Sequence, residues 1–295
     1  MGEDILRPIS EGELLGLMEL YARTSNETSY HYFSIYNQIK WNEQLKNIPV
    51  NQCANWKRFR REFYTHRSGN LMVNGTFVSI IREIVTSVSF HTLEPSMAEL
   101  RECLEKTERI NWLAGPLIEG VQVRLAPFAL EILCKRNALI EHDRLSPYFL
   151  LKIDRLNTLP IPEGYEIRPL IARDADKIHD LWPNKKEASV EFLRGLIILN
   201  KSLGVFKTNS GELCAWVLQN EFGGLGVLQT MPDEQKKGFA TILASEMCRK
   251  IIKSDGISVT AFTTSVNVKS QALLKKIGFE VLDYGKWTKY RNLLN

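Results

Sequence analysis

Cysteine is scarce in this chain of 295 residues, with five thiols, an odd number. Cys53, Cys103, Cys134, Cys214 and Cys248 show neither close pairing nor Cys-x-x-Cys spacing, which argues against a disulfide framework and for reduced thiols in a reducing compartment. The five histidines, His31, His66, His91, His142 and His179, are scattered, so no metal site is expected. Low-complexity segments and short-period repeats are missing. The opening MGEDILRPISEGEL has neither the long apolar run of a signal or membrane span nor the arginine-rich pattern of a transit peptide. These absences set an expectation of an intracellular protein, cytoplasmic rather than mitochondrial, with no membrane partner. Charge of one sign is nearly missing too, since 38 Lys+Arg stand against 34 Asp+Glu. A net +4 is far from the clustered basic face of a nucleic-acid binder.

What the sequence does have is concentrated between Leu225 and Ile252, LGVLQTMPDEQKKGFATILASEMCRKII. Leu225 to Thr230 reads as a strand, Pro232 and Asp233 as a turn, and Phe239, Ile242, Leu243, Met247 and Ile251 as one face of a helix. Gln235 to Ala240 form Q-x-x-G-x-A at the helix start. There the backbone N–H groups lack intrahelical partners and the helix dipole adds positive potential, so an anion is favoured. Gly238 removes the Cβ that would obstruct close approach, and Lys236 and Lys237 add charge suited to a pyrophosphate. From Glu163 onward the chain carries 19 basic and 15 acidic residues, against 19 and 19 before it. The whole excess therefore lies in the half with this signature, as a nucleotide-like anionic ligand would favour.

Q-x-x-G-x-A after a strand resembles the acyl-CoA signature of the GCN5-related N-acetyltransferase (GNAT) superfamily. YEIRPL from Tyr165 with RDADKIHDLW from Arg173 looks like its first strand and helix. Ser258 to Thr264, then Asn267, Ser270 and Leu273, then Ile277, Gly278 and Phe279, looks like its later strand, asparagine-bearing helix and closing glycine-aromatic pair. Within the superfamily, ELCAW from Glu212, the pair Gly223-Gly224 and Thr230-Met231-Pro232 are most similar to the glycine N-acyltransferase-like branch, across roughly residues 163 to 291. Ile110-Asn111-Trp112 extends that likeness more loosely into the first half.

The resemblance implies an α/β (α+β) GNAT fold, a mixed and mostly antiparallel sheet flanked by helices. It also implies acyl transfer from acetyl-CoA or another acyl-CoA to the amine of a small molecule or amino acid, without a metal. Leu228 and Thr230 would offer backbone contacts to the pantetheine arm, Gln235, Lys236, Lys237, Gly238, Phe239, Ala240 and Thr241 would hold the pyrophosphate, and Asn267 would reach the pantetheine. The sequence departs from the family at two places. Leu274 stands where a thiolate-protonating Tyr is usual, and Gly223-Gly224 where the branch carries an acidic residue. Glu221 is then the candidate base, and Ser270, Tyr284 or Tyr290 the candidate acid. A non-catalytic acyl-CoA-binding protein and a protein or peptide N-acetyltransferase are the alternatives.

The first half reads as a separate α/β domain over residues 1–160, a degenerate copy of the same fold or a smaller domain, with 163–295 as the acyl-CoA-binding domain and Leu159 to Gly164 as the boundary. Ser10 and Glu13 predict a capping box for a first helix. The aromatic cluster Tyr30, Tyr32, Phe33, Tyr36 and Trp41 reads as core packing in a mixed segment, and Trp56 to Tyr64 as an element that buries its aromatic side and solvates its arginines. Leu71 to Val73 and Thr76 to Ile81 read as strands joined by a hairpin turn at Asn74-Gly75. The chain is expected to end in two strands, Phe279 to Tyr284 and Trp287 to Tyr290.

Overall fold

The computed structural model describes residues 2–25, 27–49, 60–82, 86–152, 156, 158–183, 185 and 189–293. Cys53, Trp56 and Phe59 lie outside the described residues. Two compact units emerge, neither contiguous in sequence: unit 1 holds residues 1–39, 57–147 and 283–295, and unit 2 holds 40–56 and 148–282. The boundary expected at Leu159 to Gly164 falls inside unit 2.

Unit 1 contains β1 (Leu6–Pro8), α1 (Glu11–Ser25), the first part of α2 (Tyr30–Lys46), β2 (Glu62–His66), α3 (Leu71–Asn74), β3 (Phe77–Ile81), β4 (Ser87–His91), α4 (Ala98–Lys106), β5 (Leu117–Gln122), α5 (Ala126–Lys135) and most of β6 (Ala138–Leu151). The strands run antiparallel from β1 to β4, β4 and β5 are parallel, and β5 pairs antiparallel with β12 (Glu280–Asn292) from the far end of the chain. The capping box forms as the spacing requires: Ser10 N donates to Glu13 Oε2 at 2.9 Å and Glu13 N to Ser10 Oγ at 3.3 Å. On α4, Leu100, Cys103 and Leu104 are fully buried in an apolar core shared with α5.

Unit 2 repeats this order of elements with β7 (Tyr165–Arg168), α6 (Asp174–Leu181), α7 (Ser189–Leu199), β8 (Ser202–Lys207), β9 (Leu213–Gln219), β10 (Leu225–Thr230), α8 (Phe239–Asp255), β11 (Val259–Phe262) and α9 (Val268–Lys276). Strands β7 to β10 are antiparallel, β10 and β11 are parallel, and β11 pairs antiparallel with residues 148–151 of β6. Each unit thus completes its sheet with a strand whose other end belongs to the other unit. A mixed sheet flanked by helices is the expected fold class, and the element order of the first half resembles that of the second, with the turn α3 added between β2 and β3. On α8 the predicted face is the buried one, with Leu243, Met247 and Ile251 at zero exposure. Full burial of such side chains contributes about 2 kcal/mol each. The helices α6 and α7 pack on Phe206, Leu213, Trp216 and Leu218.

Three expectations need correction. Leu71–Asn74 is a helical turn rather than a strand, and Gly75, at φ 57°, is its left-handed C-cap, with its N–H bonded to Leu71 O. The Asn-Gly pair closes a helical turn instead of a hairpin. Tyr30–Lys46 is a helix, although it has no apolar stripe, because the side chains it buries include His31, Ser34, Asn37 and Gln38. Gln38 Oε1 accepts from Arg61 N at 2.9 Å, and the Arg61 guanidinium is ion-paired with Glu119, which also accepts from Ser87 Oγ. The chain closes in one strand, β12, whose register shifts between Lys286 and Thr288 instead of breaking into two.

Among the described residues, no helix is long and apolar enough to cross a membrane, and no group of three or more His, Cys, Asp or Glu side chains could hold a metal. Cys103, Cys214 and Cys248 are buried and Cys134 is exposed. Burial pushes the Cys103 thiol up to about 12.

Candidate active site

The central strand of unit 2 is distorted where the chemistry is expected. Val227 has φ 51°, a genuine outlier for a β-branched residue. It sits in a bulge: Gly226 pairs with Leu218 and Gln229 with Trp216, so Val227 and Leu228 share one position opposite Val217. On its other side, β10 registers with β11 only at Leu225↔Ala261. Beyond that point β11 runs only to Phe262, and the backbone of Leu228 and Thr230 has no β11 partner among the described residues. Ligands of parallel sheets sit outside the carboxyl ends of such strands.

Past Thr230 the chain makes a single 3-10 turn, Pro232–Glu234, and reaches Gly238, the N-cap of α8, at φ 82°. Lys236 is also left-handed, at φ 65°. Left-handed residues interspersed in a turn aim successive N–H groups to one side, as in an anion nest. The N–H of Gln235 reaches Pro232 O at 3.4 Å and that of Thr241 reaches Gly238 O at 3.0 Å. Those of Lys236, Lys237, Gly238, Phe239 and Ala240 meet no acceptor among the described residues, and Gln235 to Gly238 are exposed. A Cβ on Gly238 would meet nothing within 4 Å, so this glycine is required by its φ and leaves open space beside the donors.

Below the loop lies a clamp with no signal in the sequence. Glu234 is buried, and its carboxylate accepts from Tyr165 Oη at 2.9 Å and Lys237 Nζ at 2.6 Å and pairs with Lys207 Nζ at 3.0 Å. The Lys237 hydrogen bond foremost, with Lys207 and Tyr165, holds its pKa down to about 2 against the opposing effect of burial.

The remaining predicted residues are spread out. Asn267 is the N-cap of α9, its side chain accepting from Ser270 N at 3.1 Å, and lies in the loop after β11, the strand parallel to β10. Ser270 is half-buried one turn on. Leu274 is buried, an apolar filler where an acid is usual. Glu221 is half-buried in the β9–β10 turn, which Asn220 fastens by accepting from Phe222 N and Gly224 N at 3.1 and 3.0 Å. It is separated from the Gln235–Gly238 loop by the length of β10, about 20 Å at strand rise. Tyr284 is exposed and belongs to unit 1. Tyr290 is buried and donates to Trp112 O at 3.0 Å, a structural bond.

Gly224 has a steric reason to be glycine. A Cβ there would come within 2.5 Å of Thr260 O. The β11 backbone occupies the space, so no acidic side chain fits. Gly224→Asp is expected to destabilise the protein by about 3 kcal/mol or more without adding activity, read as a lowered urea midpoint.

Unit 1 follows the same plan without the cradle. Its parallel pair registers at Ser87↔Leu117 and Val88↔Ile118. At the start of α4, Glu94 Oε2 accepts from Glu99 N at 3.0 Å and Ser96 Oγ from Ala98 N at 3.3 Å. The ends of β4 and β5 are bridged, His91 Nε2 lying 2.6 Å from Gln122 Oε1. Where unit 2 presents open donors at the start of α8, unit 1 supplies its own carboxylate and a polar bridge.

The chain is similar to a Drosophila protein of known X-ray structure, at 40% identity over 97% of this chain and 98% of that one, with a TM-score of 0.92. The chain belongs to the same family as this Drosophila protein. Its fold is that of the GNAT superfamily. At 12% identity it superposes on a tandem GNAT protein from the clavulanic acid biosynthesis pathway over 98% of each chain, with a TM-score of 0.58. At 13% identity it superposes on a GCN5-related N-acetyltransferase from Sphaerobacter thermophilus over 97% of this chain and 94% of that one, with a TM-score of 0.55. Residues 202–290 match the family described as FR47-like protein, and residues 5–130 match a domain of unknown function (DUF5645). The FR47-like match spans β8 to most of β12, and so includes the bulged strand, the Gln235–Gly238 loop and α9.

Proposed function

We propose that the protein is an N-acyltransferase that moves an acyl group from acyl-CoA to the amine of a small molecule or amino acid. The observation that carries this reading is the set of unpaired N–H groups from Lys236 to Ala240 at the start of a 17-residue helix. They lie directly after a strand whose last residues have no partner on its parallel neighbour among the described residues. These residues fit an acyl-CoA, which would supply an activated carbonyl and a thiolate leaving group. The N–H groups of the loop would hold the diphosphate, with the Gln235 and Thr241 side chains beside them. The backbone of Leu228 and Thr230 would pair with the pantetheine amides, and the Asn267 amide would reach the same arm. The bulge at Val227 would aim an N–H at the carbonyl oxygen. Glu221, at the far end of β10, would take the proton of the attacking amine, directly or through water, and Ser270 would return one to the thiolate.

Glu221→Gln is expected to lower turnover at neutral pH by about 100-fold while acetyl-CoA affinity stays unchanged. Equal rates for both proteins across the pH range would remove Glu221 from the mechanism. A second reading, a non-catalytic acyl-CoA-binding protein, is favoured by the buried Leu274 and by the lack of room at Gly224. Calorimetric titration with acetyl-CoA and benzoyl-CoA, followed by thiol release with a panel of amines, separates the two. Saturable binding with amine-dependent release supports the transferase, binding without release from any amine supports the second reading, and no binding overturns both.

A further inference from the structure

Two neighbouring lysines read in the sequence as one positive patch, and the structure separates them. Lys237 Nζ lies 2.6 Å from Glu234 Oε2 and 2.7 Å from Tyr165 Oη, and 5.2 Å from the centroid of the Tyr165 ring. Glu234 in turn takes Tyr165 and Lys207 as further partners, which ties the loop to β7 and β8. To reach a phosphate, the Lys237 ammonium would have to leave a buried carboxylate that is ionised throughout the neutral range. Lys236 is exposed, stands at a left-handed position and makes no hydrogen bond or ion pair among the described residues.

On the acyl-CoA reading above, we infer that Glu234 is a positioning residue that locks Lys237 into the floor of the loop and leaves Lys236 as the side-chain cation that meets the ligand's diphosphate. A lone carboxylate this close to an anion site would repel the ligand. Here Lys207 and Lys237 neutralise it, and the clamp keeps the loop N–H groups open. The two lysines of the Q-K-K-G run therefore have different tasks.

The test is titration of the full chain with acetyl-CoA at a series of KCl concentrations, because a cation that meets phosphate contributes to the salt slope and a structural one does not. Lys236→Ala is expected to raise the Kd about tenfold and to flatten the slope of log Kd against log salt by about one charge, with Lys236→Arg restoring it. Lys237→Met, which keeps the alkyl stem over Tyr165, should retain the wild-type slope. Glu234→Gln frees Lys237 and should steepen the slope. A flattened slope in Lys237→Met, alone or equally with Lys236→Ala, overturns the inference, as does an unchanged slope in Lys236→Ala. Failure of the wild-type protein to bind acetyl-CoA would instead remove the acyl-CoA reading on which the inference rests.

Discussion

Gly238→Asp is expected to raise the acetyl-CoA dissociation constant by at least about 100-fold while leaving the protein folded. The two parts of that statement rest on different observations. A Cβ at this position meets nothing within 4 Å, so the substitution makes no clash, and only the left-handed φ of 82° disfavours it. That conformation costs about 1–2 kcal/mol for a non-glycine residue, and Asp tolerates it better than most. The carboxylate, however, projects beside the N–H groups offered to the diphosphate, where it both caps them and repels the ligand. Calorimetry gives the affinity, and a urea melt gives the stability. Wild-type affinity in the folded variant would count against the whole ligand assignment. Gly238→Ala separates the causes, since it adds the strain without the charge and should weaken binding far less.

Acid is expected to unfold unit 1 well above the pH at which carboxylates titrate. The His31 and His91 rings lie 4.1 Å apart between centroids, tilted by 40°, and both are buried. Burial holds the His91 pKa down to about 3, with Arg124 adding to it and the Gln122 hydrogen bond opposing it. Burial also holds His31 well below its ordinary value, aided by His91, Arg124 and Arg61. Tyr21 Oη, 2.5 Å from His91 Nδ1, completes the neutral cluster. An unfolded chain protonates these imidazoles near pH 6.5 and the native one does not, so the unfolded state binds more protons below that pH. Stability is therefore full above pH 6.5 and falls as the pH drops toward about 3. His91 costs about 2 kcal/mol at pH 5, and His31 adds to the loss in the same direction. The Glu13, Glu131 and Glu234 carboxyls, held down to about 2, contribute their own loss only at lower pH. Urea midpoints between pH 7.5 and 5 check this, and His91→Gln should flatten the dependence. A midpoint independent of pH over that window would mean that the cluster opens or titrates normally in the native state.

How much of this molecule could be read in advance depended on whether the signal was local. The Ser10-Glu13 box and the buried face of α8 both follow from spacing within one turn or two, and both are present. Helix α2 was not legible as a helix. Periodicity reports amphipathic burial, and α2 buries polar side chains against polar partners such as Arg61 and Glu119. Asn74-Gly75 failed for a subtler reason. A left-handed residue ends a helical turn as well as it makes a hairpin, and the choice lies with what surrounds Leu71.

The candidate site divides along the same line. Its anion cradle was readable, because Gly238 and the helix start are neighbours in the chain. The bulge was not, since Val227 is a good strand residue that only the register of β9 forces into a left-handed conformation. Nor was the reason for Gly224, which lies in the backbone of Thr260 on another strand.

By itself, then, the sequence determined that a strand, a glycine turn and an amphipathic helix would form in that order, because these depend on contacts within a few residues. Tertiary structure alone decided that β10 and β11 register only at Leu225 and Ala261, that β11 pairs with residues 148–151 of β6, and that Glu234 engages Lys237 and not Lys236. Those features depend on which distant backbone and side chains come to lie beside one another.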